Sequence, residues 1–129
     1  MLLTEYFARL VKGIEEYSKT NLIIDTDLHL DCRTEKIGII KGVITFIDDS
    51  KLFFTEYLDV RYKIEKLTYS FHFQQKDGKL IFRYDNADHK PRLNFNSHKH
   101  LSSDEIVQSS IPEISDIFEE MMDSLLRIK

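Results

Sequence analysis

The spacing of hydrophobic residues predicts a helix at the start of the chain and strands after it. Between residues 2 and 18, apolar side chains recur in steps of three and four, which places them on one stripe of a helix. From Leu22 to Arg33 the period drops to two, with mainly acidic residues at the alternate positions, as in a half-buried strand. Residues 37–47 and 51–63 are predicted to be the second and third strands.

The dipeptide Asp77-Gly78 predicts the tight turn of a hairpin between a fourth and a fifth strand. A type I′ turn needs positive φ at both central positions, and these residues tolerate it. With this turn, Phe73 pairs with Phe82 on the core face. The same register places His72 opposite Arg83 on the other, polar face.

The remainder of the chain completes a fold of mixed class. The alternation stops after Asn86, and residues 86–103 are predicted to form a loop. Helical spacing returns in residues 111–129, where Pro112 suits the first turn of a helix. We therefore predict a single α+β domain over residues 1–129. It has a five-stranded antiparallel meander, with the N- and C-terminal helices packed on one face and the opposite face open and polar.

Charge is distributed unevenly along the chain. The formal net charge is −4, yet residues 72–100 contain six Lys or Arg against three Asp, a local charge of +3. The rest of the chain therefore carries −7, and a polyanion would meet one basic region on a repulsive body. This distribution excludes a uniformly basic nucleic-acid-binding surface.

Three features of the sequence point to a cytoplasmic location. The single cysteine, Cys32, cannot form an internal disulfide, which is typical of a reducing compartment. The first residues lack the basic region of a signal peptide, and no apolar run approaches the length of a membrane span.

The polar face of the predicted hairpin carries His72 and Arg83, with Gln74 and Asp85 beside them. One interpretation is a solvated sheet face with weak polar pairs across the strands. The other is a site for acid–base chemistry on a phosphate, in which Arg83 supplies a fixed cation and Asp85 orients the imidazole.

The predicted loop contains an unusual number of imidazoles and no carboxylate between residues 89 and 100. His89, His98 and His100 could form a three-nitrogen zinc site. The cations among them oppose a divalent metal and favour an anion site instead; they are Lys90, Arg92 and Lys99. A basic surface loop without a site is the third alternative.

Glu56 interrupts an apolar face of the third strand, between Phe54 and Leu58. A carboxylate at this position lies either at a sheet end in water or in the interior beside a partner. We keep Glu56 as a further candidate for the site.

Four segments, in this order, resemble the TumE-like toxins of prokaryotic toxin–antitoxin modules. They are Glu56-Tyr57, the YSFHFQ strand of residues 69–74, the LIFRYDNA strand of residues 80–87, and His98-Lys99-His100. The chain departs from the family pattern at Lys90, where a second histidine is usual, and at Asn96-Ser97, where Pro-His is usual. His72, His98 and His100 are the imidazoles that the chain shares with the family.

The resemblance implies a small cytoplasmic toxin that is neutralised by a protein antitoxin. Histidines with a cation could cleave RNA without a metal or other cofactor, so a ribonuclease is our first hypothesis. The alternative is a non-catalytic module that binds nucleic acid or protein through the open sheet face and the basic loop. A homodimer is a further open expectation.

These considerations define a candidate site in two groups of residues. The predicted catalytic residues are His72, Arg83, His98 and His100. The predicted substrate-binding residues are Lys99, Arg92, Asp85, Tyr69 and Gln74, with His89 and Glu56 as further candidates. We expect the loop after Ala87 to fold over the polar face of the fourth and fifth strands, which would bring His98 or His100 close to His72 and Arg83.

Overall fold

The computed structural model describes residues 1–87 and 96–126 and contains two helices and one antiparallel sheet. The helices are α1 (Leu3–Ser18) and α2 (Ile114–Leu126). The strands are β1 (Ile23–Cys32), β2 (Ile37–Phe46), β3 (Lys51–Asp59), β4 (Glu65–Gln74), β5 (Leu80–Asp85), β6 (His98–Leu101) and β7 (Ile106–Gln108). The predicted α+β class and antiparallel pairing are confirmed.

The number of strands was predicted wrongly. The described strands form one seven-stranded sheet in chain order, so the meander is longer than the predicted five strands. The additional strands are β6 and β7, and β6 lies inside the segment predicted to be a loop. β6 has the sequence HKHL, in which apolar and polar residues do not alternate. It forms a strand because β5 offers it an edge to pair with, which a local pattern does not reveal.

The register of the β4–β5 hairpin is the predicted one, whereas its turn is of another type. Phe73 pairs with Phe82 and His72 with Arg83. In the turn, Gly78 alone of the two central residues has a positive φ, of 90°. The Gly78 amide donates to the carbonyl of Gln75, and a register shift follows Phe73. This matches a type I turn followed by Gly78 in the left-handed region, which pairs Gln74 with Leu80. The irregularity at Ile81 then restores the register that a two-residue turn would set.

One hydrophobic cluster joins the sheet to both helices. The ring of Phe118 in α2 stacks on Tyr17 of α1 at 4.4 Å between centroids and meets Phe46 of β2 edge-on at 6.4 Å. Phe73 and Phe82 belong to the same buried cluster. The complete expectation, that both helices cover one face and leave the other open, stays a prediction.

Glu56 is a buried structural residue on this core side of the sheet. Its carboxylate lies 2.7 Å from the Nζ atom of Lys66 and accepts a hydrogen bond of 2.8 Å from the Tyr6 hydroxyl. Burial, together with the charge of Glu56, raises the pKa of Tyr6. Lys66 also donates to the Pro112 carbonyl, just before α2. Glu56 and Lys66 together therefore connect both helical segments to the sheet, on the side opposite His72 and Arg83.

We expect Lys66→Met to lower the free energy of unfolding by about 3–5 kcal/mol, because it leaves the Glu56 carboxylate buried without its cation. Lys76→Met is the matched control, since Lys76 lies 3.5 Å from Asp49 with both side chains exposed. Breaking that pair should cost less than about 1 kcal/mol. Urea denaturation measures both changes.

The double variant Glu56→Gln/Lys66→Met should recover part of the loss, because it removes the uncompensated charge. Equal losses in Lys66→Met and Lys76→Met would contradict a structural role for the buried pair.

Candidate active site

The strand register places the candidate residues in two adjacent rows across one face of the sheet. In the first row, His72 of β4 pairs with Arg83 of β5, which pairs with His100 of β6. In the second row, Asp85 of β5 pairs with His98 of β6. Residues that pair across antiparallel strands project on the same side, so these five side chains face the same way.

Asp85 is the centre of the cluster. Only 3% of the residue is exposed, and its carboxylate accepts a hydrogen bond of 2.6 Å from Nε of Arg83. The Nε2 atom of His98 contacts the other carboxylate oxygen, and Nε2 of His100 lies 3.5 Å from the first. A buried carboxylate needs such partners, because its charge has lost the stabilisation that water provides.

His72 is held in one tautomer by its two neighbours. Arg83 has only donors, so its Nη1 atom donates to Nδ1 of His72 at 3.3 Å. The other ring nitrogen, Nε2, then carries the proton and donates to the Gln74 side-chain oxygen at 3.0 Å. Nδ1 of His72 is therefore the acceptor in this contact, with its lone pair directed toward the guanidinium.

His98 of β6 lies beside Asp85, its partner across the strands, and is 1% exposed. Its Nδ1 atom lies 3.0 Å from the Asn96 carbonyl, while Nε2 meets Asp85. Both ring nitrogens of His98 therefore face an acceptor. Both hydrogen bonds can form if each nitrogen carries a proton, or if Nδ1 carries one and a protonated Asp85 donates to Nε2. The buried ring cannot touch a substrate in this position, so the prediction of a catalytic role for His98 does not fit its location.

The two loop histidines approach His72 and Arg83 by a different route from the predicted one. They belong to β6, which extends the sheet beside β5, and they do not fold over the face of β4 and β5. The distance between the His98 and His100 rings is 5.1 Å. Asp85 then connects both histidines to Arg83.

Asp85, His98 and His100 are also the described residues that could hold a metal ion. Their ligand atoms all lie within 4.8 Å of one another, and a carboxylate with two imidazoles is a donor set that zinc accepts. The guanidinium of Arg83 already lies on the same carboxylate and opposes a divalent cation. The predicted third ligand of the zinc alternative, His89, lies outside the described residues, as do Lys90 and Arg92.

Lys99 and Tyr69, which were predicted to bind substrate, lie on the opposite side of the sheet from His72 and Arg83. Lys99 lies between His98 and His100 in a strand, so its side chain projects to the opposite side. There it forms an ion pair of 2.8 Å with Glu120 of α2. Burial, the largest single effect, lowers the pKa of Lys99, but hydrogen bonds and charge interactions with Glu120 and Tyr84 together outweigh it, and the pKa is raised.

Tyr69 is in the core, with 3% of the residue exposed. Burial is the main reason why the pKa of its hydroxyl is raised. In both cases the physical cause is alternation, since neighbouring residues of a strand face opposite sides of the sheet.

A groove of about 470 Å³ lies beside His72 and Arg83 and extends across the polar face toward β1. Lys41 of β2 and Phe53 of β3 line it, and neither was among the predicted site residues. The signal for Phe53 was present in the sequence, because Phe54 was assigned to the core and the preceding residue of a strand must face the other way.

We expect Lys99→Met and Arg83→Met to have different effects, since the two cations face opposite sides of the sheet. Lys99→Met should lower the free energy of unfolding by about 1–2 kcal/mol through loss of the Glu120 pair and of cation–π contacts, with retention on a heparin column unchanged. Arg83→Met should elute at lower salt, because a polyanion contact is lost. If Lys99→Met eluted at lower salt than wild type, Lys99 would contribute to polyanion binding, which would contradict its assignment to the core side.

Comparison with known proteins identifies a related family. A family model described as Toxin TumE matches residues 12–127. No curated protein and no solved structure matches the chain. Neither of the helices in the described part of the chain is long and apolar enough to cross a membrane.

Proposed function

This chain belongs to the Toxin TumE family, and we propose that it acts as a toxin by cleaving RNA in a metal-independent reaction. The observation that carries the proposal is a series of polar contacts that begins with His72 and Arg83 at the groove. His72 contacts Arg83 at 3.3 Å, Arg83 contacts Asp85 at 2.6 Å, and His100 lies 3.5 Å from the same carboxylate. Two imidazoles and a guanidinium are the groups that metal-free cleavage of a phosphodiester needs.

His72 is the proposed general base. When a phosphate binds Arg83, the guanidinium turns toward the phosphate and the Nδ1 lone pair of His72 becomes available. The 2′-hydroxyl gives its proton to this nitrogen while its oxygen attacks phosphorus. Arg83, of which 37% of the side chain is exposed, stabilises the negative charge that develops on the phosphorane.

His100 is the proposed general acid. Its side chain is 20% exposed and pairs in register with Arg83, so it borders the same phosphate position. Protonated His100 gives its proton to the 5′-oxygen as the phosphorus–oxygen bond to that oxygen breaks. The products are a 2′,3′-cyclic phosphate and a free 5′-hydroxyl.

Asp85 and His98 have a positioning role in this scheme. Asp85 orients Arg83 by accepting a hydrogen bond from Nε, and the buried His98 holds Asp85 through its other carboxylate oxygen. Gln74 holds the tautomer of His72 through Nε2. Asp85 and Gln74 were predicted to bind substrate. In this scheme they instead orient Arg83 and His72, the groups that touch the phosphate.

The family also implies an antitoxin partner, which we expect to be a protein that blocks the groove. A cytoplasmic location and a homodimer stay predictions. A non-catalytic module that binds nucleic acid or protein through the same sheet face is the alternative function, and the variants below distinguish it.

We expect His72→Ala, Arg83→Ala and His100→Ala each to lower kcat for RNA cleavage by about 10²–10⁴-fold, because each removes one of the three chemical groups. Arg61→Ala is the matched control. Arg61 also binds an aspartate two residues away, with 2.8 Å between its Nη2 atom and Asp59, and it does not line the groove. Its rate should be unchanged. Purified protein with a fluorescent RNA measures both.

His98→Gln tests the positioning role, since glutamine keeps a side-chain donor but not the ring. It should lower kcat and change the pH–rate profile while KM stays close to the original value. If none of these variants changes cleavage, or if purified protein binds RNA without any turnover, the catalytic proposal is wrong and the binding module is favoured.

Removal of metal ions should leave both activity and thermal stability unchanged. Arg83 supplies the charge that stabilises the phosphorane, so no metal is needed for this step. Cleavage and Tm are measured after dialysis against EDTA and again after addition of Zn²⁺. Loss of cleavage with EDTA and recovery with Zn²⁺ would instead assign Asp85, His98 and His100 as metal ligands.

A further inference from the structure

We propose, on the basis of the function proposed above, that the groove contains a subsite for an unpaired nucleobase of RNA, which stacks on the ring of Phe53. Such a subsite accepts RNA as a single strand, and Phe53 determines this preference.

Phe53 is an exposed aromatic residue in the middle of the polar face. The residues before and after it, Leu52 and Phe54, are 0% and 2% exposed, whereas Phe53 is 38% exposed. It lies on β3, with strands paired on both sides, so it is not at a sheet edge or in a loop. A lone exposed apolar residue needs no explanation, but this one lines the groove beside the proposed catalytic residues.

The neighbours of Phe53 support one orientation of its ring. Phe53 pairs in register with His72, and the two rings are T-shaped, with 6.2 Å between their centroids and an angle of 64° between their planes. On the other side it pairs with Val43, a smaller side chain. A planar base that lies on Phe53 would therefore have its sugar and phosphate near His72.

Cations lie on both sides of Phe53 along the groove. Arg83 of β5 is on the side of His72, and Lys41 of β2 is on the side of β1; both line the groove. Aromatic rings between cations that follow the backbone are the usual arrangement for binding single strands, because every base offers a flat face for stacking. The hydroxyls of Thr55 and Ser70, which also line the groove, are available to the edge of the base.

Duplex RNA does not fit this arrangement. In an A-form helix the bases are stacked on one another, and the faces of the rings are not accessible to a side chain on a flat sheet. The groove volume of about 470 Å³ is within the usual range for small-molecule sites, so it is large enough for one base. Binding at Phe53 therefore requires a base that has left the stack.

The test separates stacking from phosphate binding. Oligonucleotides with 2′-O-methyl riboses cannot be cleaved by this chemistry, so their affinity can be measured by fluorescence anisotropy with the active protein. Phe53→Ala should weaken binding of a single strand about 5- to 100-fold, as expected for loss of stacking on one base. Phe53→Trp should retain the affinity. Ile47→Ala, which removes an exposed apolar side chain outside the groove, should have no effect.

The decisive comparison uses the same oligonucleotide with abasic sites in place of the bases. It keeps the phosphates but has nothing to stack, so wild type should bind it weakly and Phe53→Ala should bind it equally. If Phe53→Ala weakens the intact and the abasic strand by the same factor, the ring has a structural role and the subsite is refuted. Equal affinity of wild type for single-stranded and duplex RNA would refute it as well.

The failure of the subsite and the failure of the proposed cleavage have different signatures. Binding that depends on Phe53, without turnover of unmodified RNA, retains the subsite and refutes cleavage. Cleavage that depends on Arg83, with Kd and KM unchanged in Phe53→Ala, retains cleavage and refutes the subsite. If wild type binds no oligonucleotide while Phe53→Ala weakens binding of the antitoxin, the groove takes a protein side chain and both proposals are wrong.

Discussion

The arrangement of the candidate site depends on the buried carboxylate of Asp85. A carboxylate that is 3% exposed has lost its hydration and must be compensated by nearby positive charge and hydrogen-bond donors. Arg83 supplies a permanent cation at 2.6 Å, and His98 meets the other oxygen from β6. The same group therefore fixes the direction of the guanidinium and helps to hold β6, in which three of four residues are polar, against β5. Removal of the carboxylate would leave Arg83 and the buried His98 without this partner.

The sheet compensates a buried carboxylate on each of its faces. On the core side, Glu56 is paired with Lys66 and with the Tyr6 hydroxyl, which connects the sheet to the segments that carry both helices. On the polar side, Asp85 is paired with Arg83, which lines the groove. Because alternate residues of a strand face opposite sides, the two networks do not share a side chain. The residues that pack the core and the residues of the candidate site therefore lie on opposite faces of the same sheet.

This separation also explains why the net charge of residues 72–100 does not give the charge at the groove. Arg83 faces the groove, whereas Lys99 faces α2 and is paired with Glu120. The local excess of positive charge is thus divided between the face with the groove and a structural ion pair on the core side. In turn, Phe53 and Lys41, which belong to other parts of the chain, are added to the groove by strand pairing.

The sequence alone determined the mixed class of the fold, the antiparallel meander and the pairing of His72 with Arg83. These features follow from local causes, namely the period of apolar residues, which decides the face of each residue in β4 and β5, and the glycine turn between these strands. The resemblance of residues 56–100 to TumE-like toxins was also sufficient to identify the family. Alternation along β4 already puts Tyr69 on the same side as Phe71 and Phe73. Tertiary structure alone decided that His98-Lys99-His100 is a strand, that Lys99 belongs to the core side, and that His98 is buried beside Asp85. Each of these depends on a partner distant in sequence: an edge of β5, Glu120 of α2, or a carboxylate that needs compensation. No local pattern encodes such a partner, because its energetic effect exists only once the sheet has formed.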